Sequence, residues 1–575
     1  MGPTVIQPAA GTREPYAMEP AARTTTNDQV VVGDIPASRP GLQPRPLLLA
    51  QLNRASQTPP VVLTGTWGVG KTQLAAAYAR ARLADNWRLI AWVNARDRDT
   101  LLAGLAAVAD ATGLSAGGSR PGTAGAGQAV RDWLEADGSR RLLVFDDVED
   151  PGLLRPFVPA AGASRVLITV AGEPTAELGT RVPVDVFSAE EALALLDGRT
   201  GLADEDGALA VAVQLGYLPL ALDQAAAMIA KQRIGYAAYL AKLRALSAGD
   251  HLVWGEDEEK QSFPPGVAET VLLAREAASA ADRVGVNIGV MELVALLSPA
   301  VVRRDLLHAA GQAGTLLGGG RRVAASMVDQ ALERLNERSL LGLSLDGRAV
   351  SLHGLVARVV CGWLAQRGRL ATAARAAASA LERSAAALAE PRDHVAVREL
   401  LGQVTALLDN AAASAGDADE ELTTMLMRLR ILALHHLIEL GDNLPRAIAI
   451  GEPLTADLER RLGPDAPDTM RSRNDLARAY REAGRVADAV PLVERTLAAR
   501  ERQFGADHPS TLASRNNLAS AYRATGRPAE AIPLFEKNVA ACERLLGADH
   551  PRTLASRHNL ELARQESAQA ENDRQ

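Results

Sequence analysis

Residues Gly65–Thr72 read GTWGVGKT, and what stands on either side of them leaves few folds open. Upstream, Val61–Thr64 is an apolar run that reads as a buried strand; downstream, Thr72–Leu83 carries a helical pattern. A glycine-rich turn between strand and helix, closing on Gly-Lys-Thr, is the sequence of a phosphate-binding loop. Its glycines let the backbone curl until several N–H groups point at one centre. The helix N-terminus adds the positive end of its dipole. Gly65, Thr66, Gly68, Val69, Gly70, Lys71, Thr72 and Gln73 are therefore candidate ligands for the phosphates of ATP or ADP. Lys71 is expected to bridge the β- and γ-phosphates, and the Thr72 hydroxyl to bind Mg²⁺.

The neighbouring sequence continues the alternation. Leu89–Asn94, Leu142–Phe145 and Arg165–Thr169 read as further buried strands, with helices such as Leu101–Thr112 between them. Strand and helix in turn mean a parallel sheet covered on both faces. LLVFDD (Leu142–Asp147) ends a buried strand in two carboxylates at the edge where α/β folds bind ligands. Asp146 is expected to hold Mg²⁺ directly or through water, and Asp147 to orient an attacking water as the candidate catalytic residue. The Gly-rich stretch Gly113–Gly127 reads as a surface loop. Before the phosphate loop come VVVGDIP (Val30–Pro36) and the helical PLLLAQL (Pro46–Leu52).

From about Ser188 the chain turns mostly helical. SAEEAL (Ser188–Leu193) opens a helix, with Ser188 as N-cap and Glu191 completing a capping box. The acidic Gly249–Pro265 reads as a linker. Residues 276–368 read as helices followed by a hairpin, in which Leu341–Leu345 and Val350–His353 flank the turn Asp346-Gly347. Helices ending in a hairpin suggest a winged-helix module.

The last third repeats itself. LGPDAPDTM, FGADHPSTL and LGADHPRTL carry Gly463, Gly505 and Gly547, spaced 42 residues apart. NDLARAYREAGR (Asn474–Arg485) matches NNLASAYRATGR (Asn516–Arg527), and ADAVPL (Ala487–Leu492) matches AEAIPL (Ala529–Leu534). Small residues such as Ala477 and Ala489 allow close helix approach, Tyr480 and Tyr522 fill the gaps, and Gly484 and Gly526 supply the turns. The unit is a helix–turn–helix solenoid repeat, with a weaker copy over residues 421–462 and a last copy that holds one helix. Asn474, Asn516, Asn517 and Asn559 recur on the first helix, either pairing with the backbone of a bound peptide or bracing neighbouring helices. Asp-His-Pro at residues 507–509 and 549–551 fits helix capping with Pro in the first turn rather than a metal motif.

Composition narrows the function classes. The formal charge is −7 and no long basic block occurs, which disfavours a role built on nucleic-acid phosphates. Cys361 and Cys542 are far apart and read as small buried hydrophobes in a reducing compartment. The N-terminal stretch has no apolar core of a secretory signal, and no apolar run is long enough to span a bilayer, so a soluble cytoplasmic protein is expected.

Further segments fall in the order seen in the STAND class of signalling NTPases with an NB-ARC-type core, and the resemblance covers residues 30–368. AWVNA (Ala91–Ala95) resembles that family's second strand, and ASRVLITV (Ala163–Val170) its sensor strand. LGYLPLAL (Leu215–Leu222) is similar to the family's GLPLAL segment, which implies that Pro219 lies against the adenine. RSLLGLSLDGRAVSLHGLV (Arg338–Val356) resembles the end of its winged-helix domain, which implies that His353 touches the β-phosphate of ADP. Arg165 matches the earlier arginine of the sensor pattern and is carried as a cofactor-binding candidate. Three positions depart from the family: Ala171 stands where an arginine usually faces the γ-phosphate, Gly354 where Asp is commonest, and Val32-Gly33-Asp34 lacks the usual Gly-Arg. These departures imply slow hydrolysis with retained ADP binding. The repeats resemble the tetratricopeptide class in its kinesin-light-chain form, whose concave groove takes an extended peptide or protein tail.

The expected order is a disordered arm (1–30), an α/β P-loop NTPase domain (31–200), a helical domain (201–275) and a winged-helix domain (276–368). A helical connector (369–420), an all-α tetratricopeptide solenoid (421–566) and a polar tail (567–575) follow. The expected function is an ATP/ADP switch, ADP-bound at rest and self-associating when ATP-bound, with a protein partner on the repeats and possible slow ATPase activity. The alternatives are a repeat scaffold with a structural nucleotide, and a winged-helix transcription regulator.

Overall fold

The computed structural model describes residues 29–38, 43–56, 60–114, 123–136, 140–170, 178–247, 266–298, 301–317, 320–387, 394–411, 419–441 and 443–572. Ala171, the acidic 249–265 segment and all but the end of the 1–30 arm lie outside them.

Six parallel strands form one sheet: β1 (Val30–Val32), β2 (Val61–Thr64), β3 (Leu89–Asn94), β4 (Arg141–Val148), β5 (Arg165–Val170) and β6 (Thr180–Pro183), in the order β1-β3-β4-β5-β2-β6. β2, β3, β4 and β5 are buried almost throughout, as a sheet covered on both faces requires. β5 lies between the phosphate-loop strand β2 and the carboxylate strand β4, so the C-terminal ends of all three converge. The Lys71–Ala84 helix packs against β4 and β5, and the Arg98–Ala111 helix against β3.

The Gly113–Gly127 stretch is not loop throughout. A helix begins at Thr123 and runs to Ala136. Gly127 sits inside it because a Cβ there would stand 2.7 Å from the Phe157 ring, so the missing side chain permits the packing.

After the sheet, Ser188 caps the Ala189–Thr200 helix through the expected capping box with Glu191. The Pro219–Gln232 helix follows, buried along most of its length. The expected hairpin belongs to a three-stranded antiparallel sheet: β7 (Val302–Arg303), β8 (Gly342–Leu343) and β9 (Ala349–Ser351), ordered β7-β9-β8. With the Val286–Leu297, Arg304–Ala313 and Ala325–Glu337 helices this is a winged-helix arrangement. The lead-in segment reaches the edge of β8, where Ala37 N donates to Leu343 O at 2.9 Å and Leu345 N to Ile35 O at 2.8 Å.

The repeats form helix pairs: Glu420–Leu440 with Leu444–Leu462, Pro467–Glu482 with Val486–Phe504, and Pro509–Ala524 with Pro528–Leu546. The Pro551–Asn572 helix packs on the Pro528–Leu546 helix and runs through most of the segment expected to be a polar tail. His508 and His550, not the aspartates before them, cap their helices, each Nδ1 accepting an N–H at 3.2 Å. Asp507 instead pairs with Arg544 at 2.8 Å, and Arg515 braces its helix to Glu501 at 2.7 Å.

Positions filled by Ala519 and Tyr522 become Glu561 and Arg564 one repeat later. Met470 (3% exposed) and Leu512 (8%) are buried, whereas their counterpart Leu554 is 49% exposed. Phe535 anchors the layer beneath, fully buried with Ala519, Ala531 and Ala563. Phe535→Ala is expected to cost about 3–5 kcal/mol, visible by calorimetry as earlier melting of the repeats.

Candidate functional site

The phosphate loop is shaped by backbone conformations that only glycine adopts freely. Gly65 has φ +142°, and a Cβ there would stand 2.2 Å from Val184 O. Gly70, at φ +96°, is the N-cap of the Lys71–Ala84 helix and offers no side-chain cap, which leaves the helix's first N–H groups for an anion. Lys71 Nζ folds back onto the loop, donating to Gly65 O at 2.7 Å and Thr66 O at 2.8 Å. Desolvation lowers the Lys71 pKa to about 8, against the opposing pull of Asp147 and Asp146. A polyphosphate would restore the charged form and supply better acceptors than two carbonyls.

Opposite, β4 ends in a bulge. Its register with β5 shifts between Phe145 and Val148, and Asp147 takes φ +60°. The irregularity turns both carboxylates toward the loop. Thr72 Oγ1 donates to Asp146 Oδ1 at 3.0 Å, and Thr169 Oγ1 donates to the same oxygen at 2.6 Å. Asp147 N donates to Thr169 Oγ1 at 2.8 Å. Burial, reinforced by the Asp147 charge, pushes Asp146 up to about 6. Burial also raises Asp147, opposed by Arg96, whose Nη1 stands 3.5 Å from its carboxylate. A hydroxyl and a desolvated carboxylate in direct contact suit a hard divalent cation such as Mg²⁺, so Thr72 and Asp146 fit the metal role assigned to them.

Two further elements close the space. Pro219 is the first residue of its helix, and Leu220 N donates to Gly68 O at 3.2 Å, tying that helix to the loop. His353 caps the Gly354–Gln366 helix, its Nδ1 accepting from Leu355 N at 3.2 Å. A neutral ring bonded this way keeps its proton on Nε2. The Trp67 ring meets His353 edge-on at 6.4 Å between centroids. A cavity of about 790 Å³ results, lined by Gly68, Val69, Gly70, Lys71, Thr72, Gln73, Asp146, Asp147, Pro219 and His353.

Some assignments change. Arg165 is the first residue of β5 and pairs with Leu142, at the end of the strand away from the cavity, which only Thr169 and Val170 reach. Strand polarity therefore removes it from the cofactor-binding set. Gly65 and Thr66 contribute the carbonyls that hold Lys71 rather than cavity wall. Thr169 was missed; its signal was a polar residue between Ile168 and Val170 near the C-terminal end of a buried strand. Trp67, Asp34 and Arg303 also line the cavity, the last two 3.8 Å apart.

In the repeats, Asn474, Asn516, Asn517 and Asn559 are all half-buried, and Asn559 Nδ2 donates to Asn516 Oδ1 at 3.2 Å. That bond links successive repeats, the bracing alternative. Among the described residues no helix is long and apolar enough to cross a membrane.

The fold and site together define a P-loop NTPase-type α/β unit joined to a winged-helix arrangement and C-terminal tetratricopeptide repeats. A tetratricopeptide repeat family model matches residues 468–537 and 510–571. The chain is 32% identical over 216 residues to the regulatory protein AfsR of Streptomyces coelicolor, a match covering 33% of this chain. It is 31% identical over 213 residues to AfsR of Streptomyces griseus. The matched stretch spans 21% of the length of each of these curated relatives. Among solved structures, a STAND protein with a tetratricopeptide repeat sensor from Pyrococcus horikoshii aligns with 94% of this chain and 84% of its own, at 13% identity and TM-score 0.37. A putative kinesin light chain from Podosopora anserina, with nearly identical TPR-like repeats, aligns with 34% of this chain and 90% of its own, at 27% identity and TM-score 0.30. In domain order and motifs the chain resembles the STAND class of P-loop NTPases with an NB-ARC-type core and tetratricopeptide repeats.

Proposed function

We propose that this chain is a cytoplasmic, adenine-nucleotide-dependent signalling switch. ADP, clasped between the P-loop domain and the winged-helix module, holds a closed resting state. A protein or peptide on the repeat groove favours exchange for ATP, followed by opening, self-association and slow hydrolysis. In this reading the domains divide near residues 200, 275, 368 and 420.

The observation that carries the reading is the two-sided cavity: Lys71 and Thr72 stand on one wall and His353, from the winged-helix module, on the other. A ligand shifts a conformational equilibrium only through different affinity for its two states. His353 supplies that difference, since its Nε2–H reaches a phosphate only while the module is docked. Thr72 and Asp146 hold Mg²⁺, Asp147 orients water, and Pro219 backs the base. The similarity to regulatory proteins supports a signalling role over a catalytic one. The Ala325–Glu337 helix carries Asp329, Glu333 and Glu337 against Arg334, which disfavours DNA as its partner.

His353→Ala is expected to weaken ADP about tenfold, as loss of one hydrogen bond to a charged group would. It is also expected to raise the fraction of high-mass species seen by light scattering. Unchanged ADP affinity together with unchanged mass would refute the switch.

A further inference from the structure

The turn that follows β3 carries a guanidinium to the acidic edge of the phosphate site. Asn94 ends the strand, and its Oδ1 accepts from Arg96 N at 3.1 Å, while Ala95 N donates to Asp146 O at 2.8 Å. The backbone of Arg96 is thereby fixed against the end of β4. Its side chain bridges two carboxylates there: Nη1 stands 3.5 Å from Asp147 Oδ2, and Nη2 2.9 Å from Glu149 Oε1. A planar fork can hold both at once, which the single ammonium of a lysine does less well. Asp147 has its backbone in the left-handed region, at φ +60°, with its N–H on Thr169 Oγ1. A residue other than glycine stays there only where its surroundings hold it. The contact to Asp147 is the longer of the two that Arg96 makes, so a small displacement of the turn decides whether that carboxylate is held.

The same turn is bound by the repeat arm. Asp97 comes next, and its Oδ1 accepts from Asp99 N and Thr100 N, each at 2.9 Å, to start the Arg98–Ala111 helix. Asp99, three residues after Arg96, is the residue that Asn443 and Arg446 of the first repeat bind, at 2.6 Å and 2.9 Å. From Arg446 to Asp147 each step is thus a bond or a short stretch of one capped turn.

Taking Asp147 as the water-orienting carboxylate of the reading above, we propose that Arg96 is its positioning residue, and that the docked repeat arm supports hydrolysis by holding Arg96 in place. In that step the oxygen of water bonds to the γ-phosphorus and the bond to the β–γ bridging oxygen breaks, its electron pair leaving on ADP. One proton of the water stays on the released phosphate and the other passes to solvent. Asp147 accepts a hydrogen bond from the water, and Arg96 fixes the direction in which it does so. A partner that draws the arm away therefore slows hydrolysis and prolongs the ATP-bound state.

Steady-state ATPase kinetics and Mg·ATPγS titration of the full chain test this with Arg96→Ala, Arg96→Lys, Asp99→Ala and the Arg96→Ala/Asp99→Ala double variant. Arg96→Ala is expected to lower kcat about tenfold or more while changing KM and ATPγS affinity less than about twofold. Arg96→Lys should recover part of the loss. An unchanged kcat, a loss matched by weaker binding, or no recovery with Lys overturns the positioning role. Asp99→Ala is expected to lower kcat alone and to add nothing in the double variant; losses that multiply overturn the part given to the arm. Should Arg96→Ala not fold, Arg96→Gln keeps a polar head without the charge and is judged by the same outcomes. A wild type that binds nucleotide without turning it over overturns this proposal alone, whereas one that binds none overturns the underlying reading as well.

Discussion

Lys71→Ala is expected to weaken both ADP and ATP by about a hundredfold or more, the largest single effect on binding in this chain. The ammonium group is the one cation inside the loop itself, held over Gly65 O and Thr66 O and aimed at the space the loop amides surround. Charge-assisted bonds to phosphate contribute more than neutral ones, and a hundredfold change corresponds to about 2.8 kcal/mol. Folding should be little changed, because the interactions lost are two bonds to carbonyls at the rim of a cavity. Fluorescent-nucleotide titration beside a melting curve separates the two effects. A variant that binds normally would mean the cavity takes something other than a polyphosphate.

Asp99→Ala is expected to have the largest effect on the coupling between the repeat arm and the P-loop domain. Asp99 is 5% exposed and accepts from Asn443 Nδ2 at 2.6 Å while pairing with Arg446 Nη1 at 2.9 Å. Both partners belong to the first repeat, at the start of the Leu444–Leu462 helix. Removing one member of a buried pair commonly costs 3–5 kcal/mol, and about 3 is expected here because Arg446 keeps some exposure to water. The loss should appear as faster hydrogen exchange in the Arg98–Ala111 and Leu444–Leu462 helices, with the rest of the sheet protected. Uniform loss of protection would place Asp99 in global stability instead.

How legible these features were in sequence follows from their physical origin. The limits of β2 and β3 could be read because strands buried on both faces are unbroken apolar runs. The phosphate loop could be read because glycine, lysine and threonine have few substitutes there. β6 could not: in TRVP only Val182 is buried, so an edge strand left almost no hydrophobic pattern. The Arg98–Ala111 helix starts three residues earlier than its apolar pattern, because its capping box joins Asp97 to Thr100 rather than to a glutamate or glutamine. Arg165 matched a pattern by spacing, but strand polarity, a tertiary property, sets which end meets the ligand. The His394–Ala411 helix of the connector, whose Val395 and Gly402 line the cavity, was invisible as part of the site for the same reason. Nothing local in HVAVRELLGQ shows it; only the packing of distant helices does.

Everything proposed for this chain requires that the loop amides and Lys71 bind a nucleotide. Titration calorimetry of Mg·ADP into full-length protein, stripped of ligand and shown to be folded, addresses it most directly. The expected result is a saturable heat with one site per chain that disappears in Lys71→Ala. Absence of heat with adenine and guanine nucleotides alike, on folded wild-type protein, would contradict it.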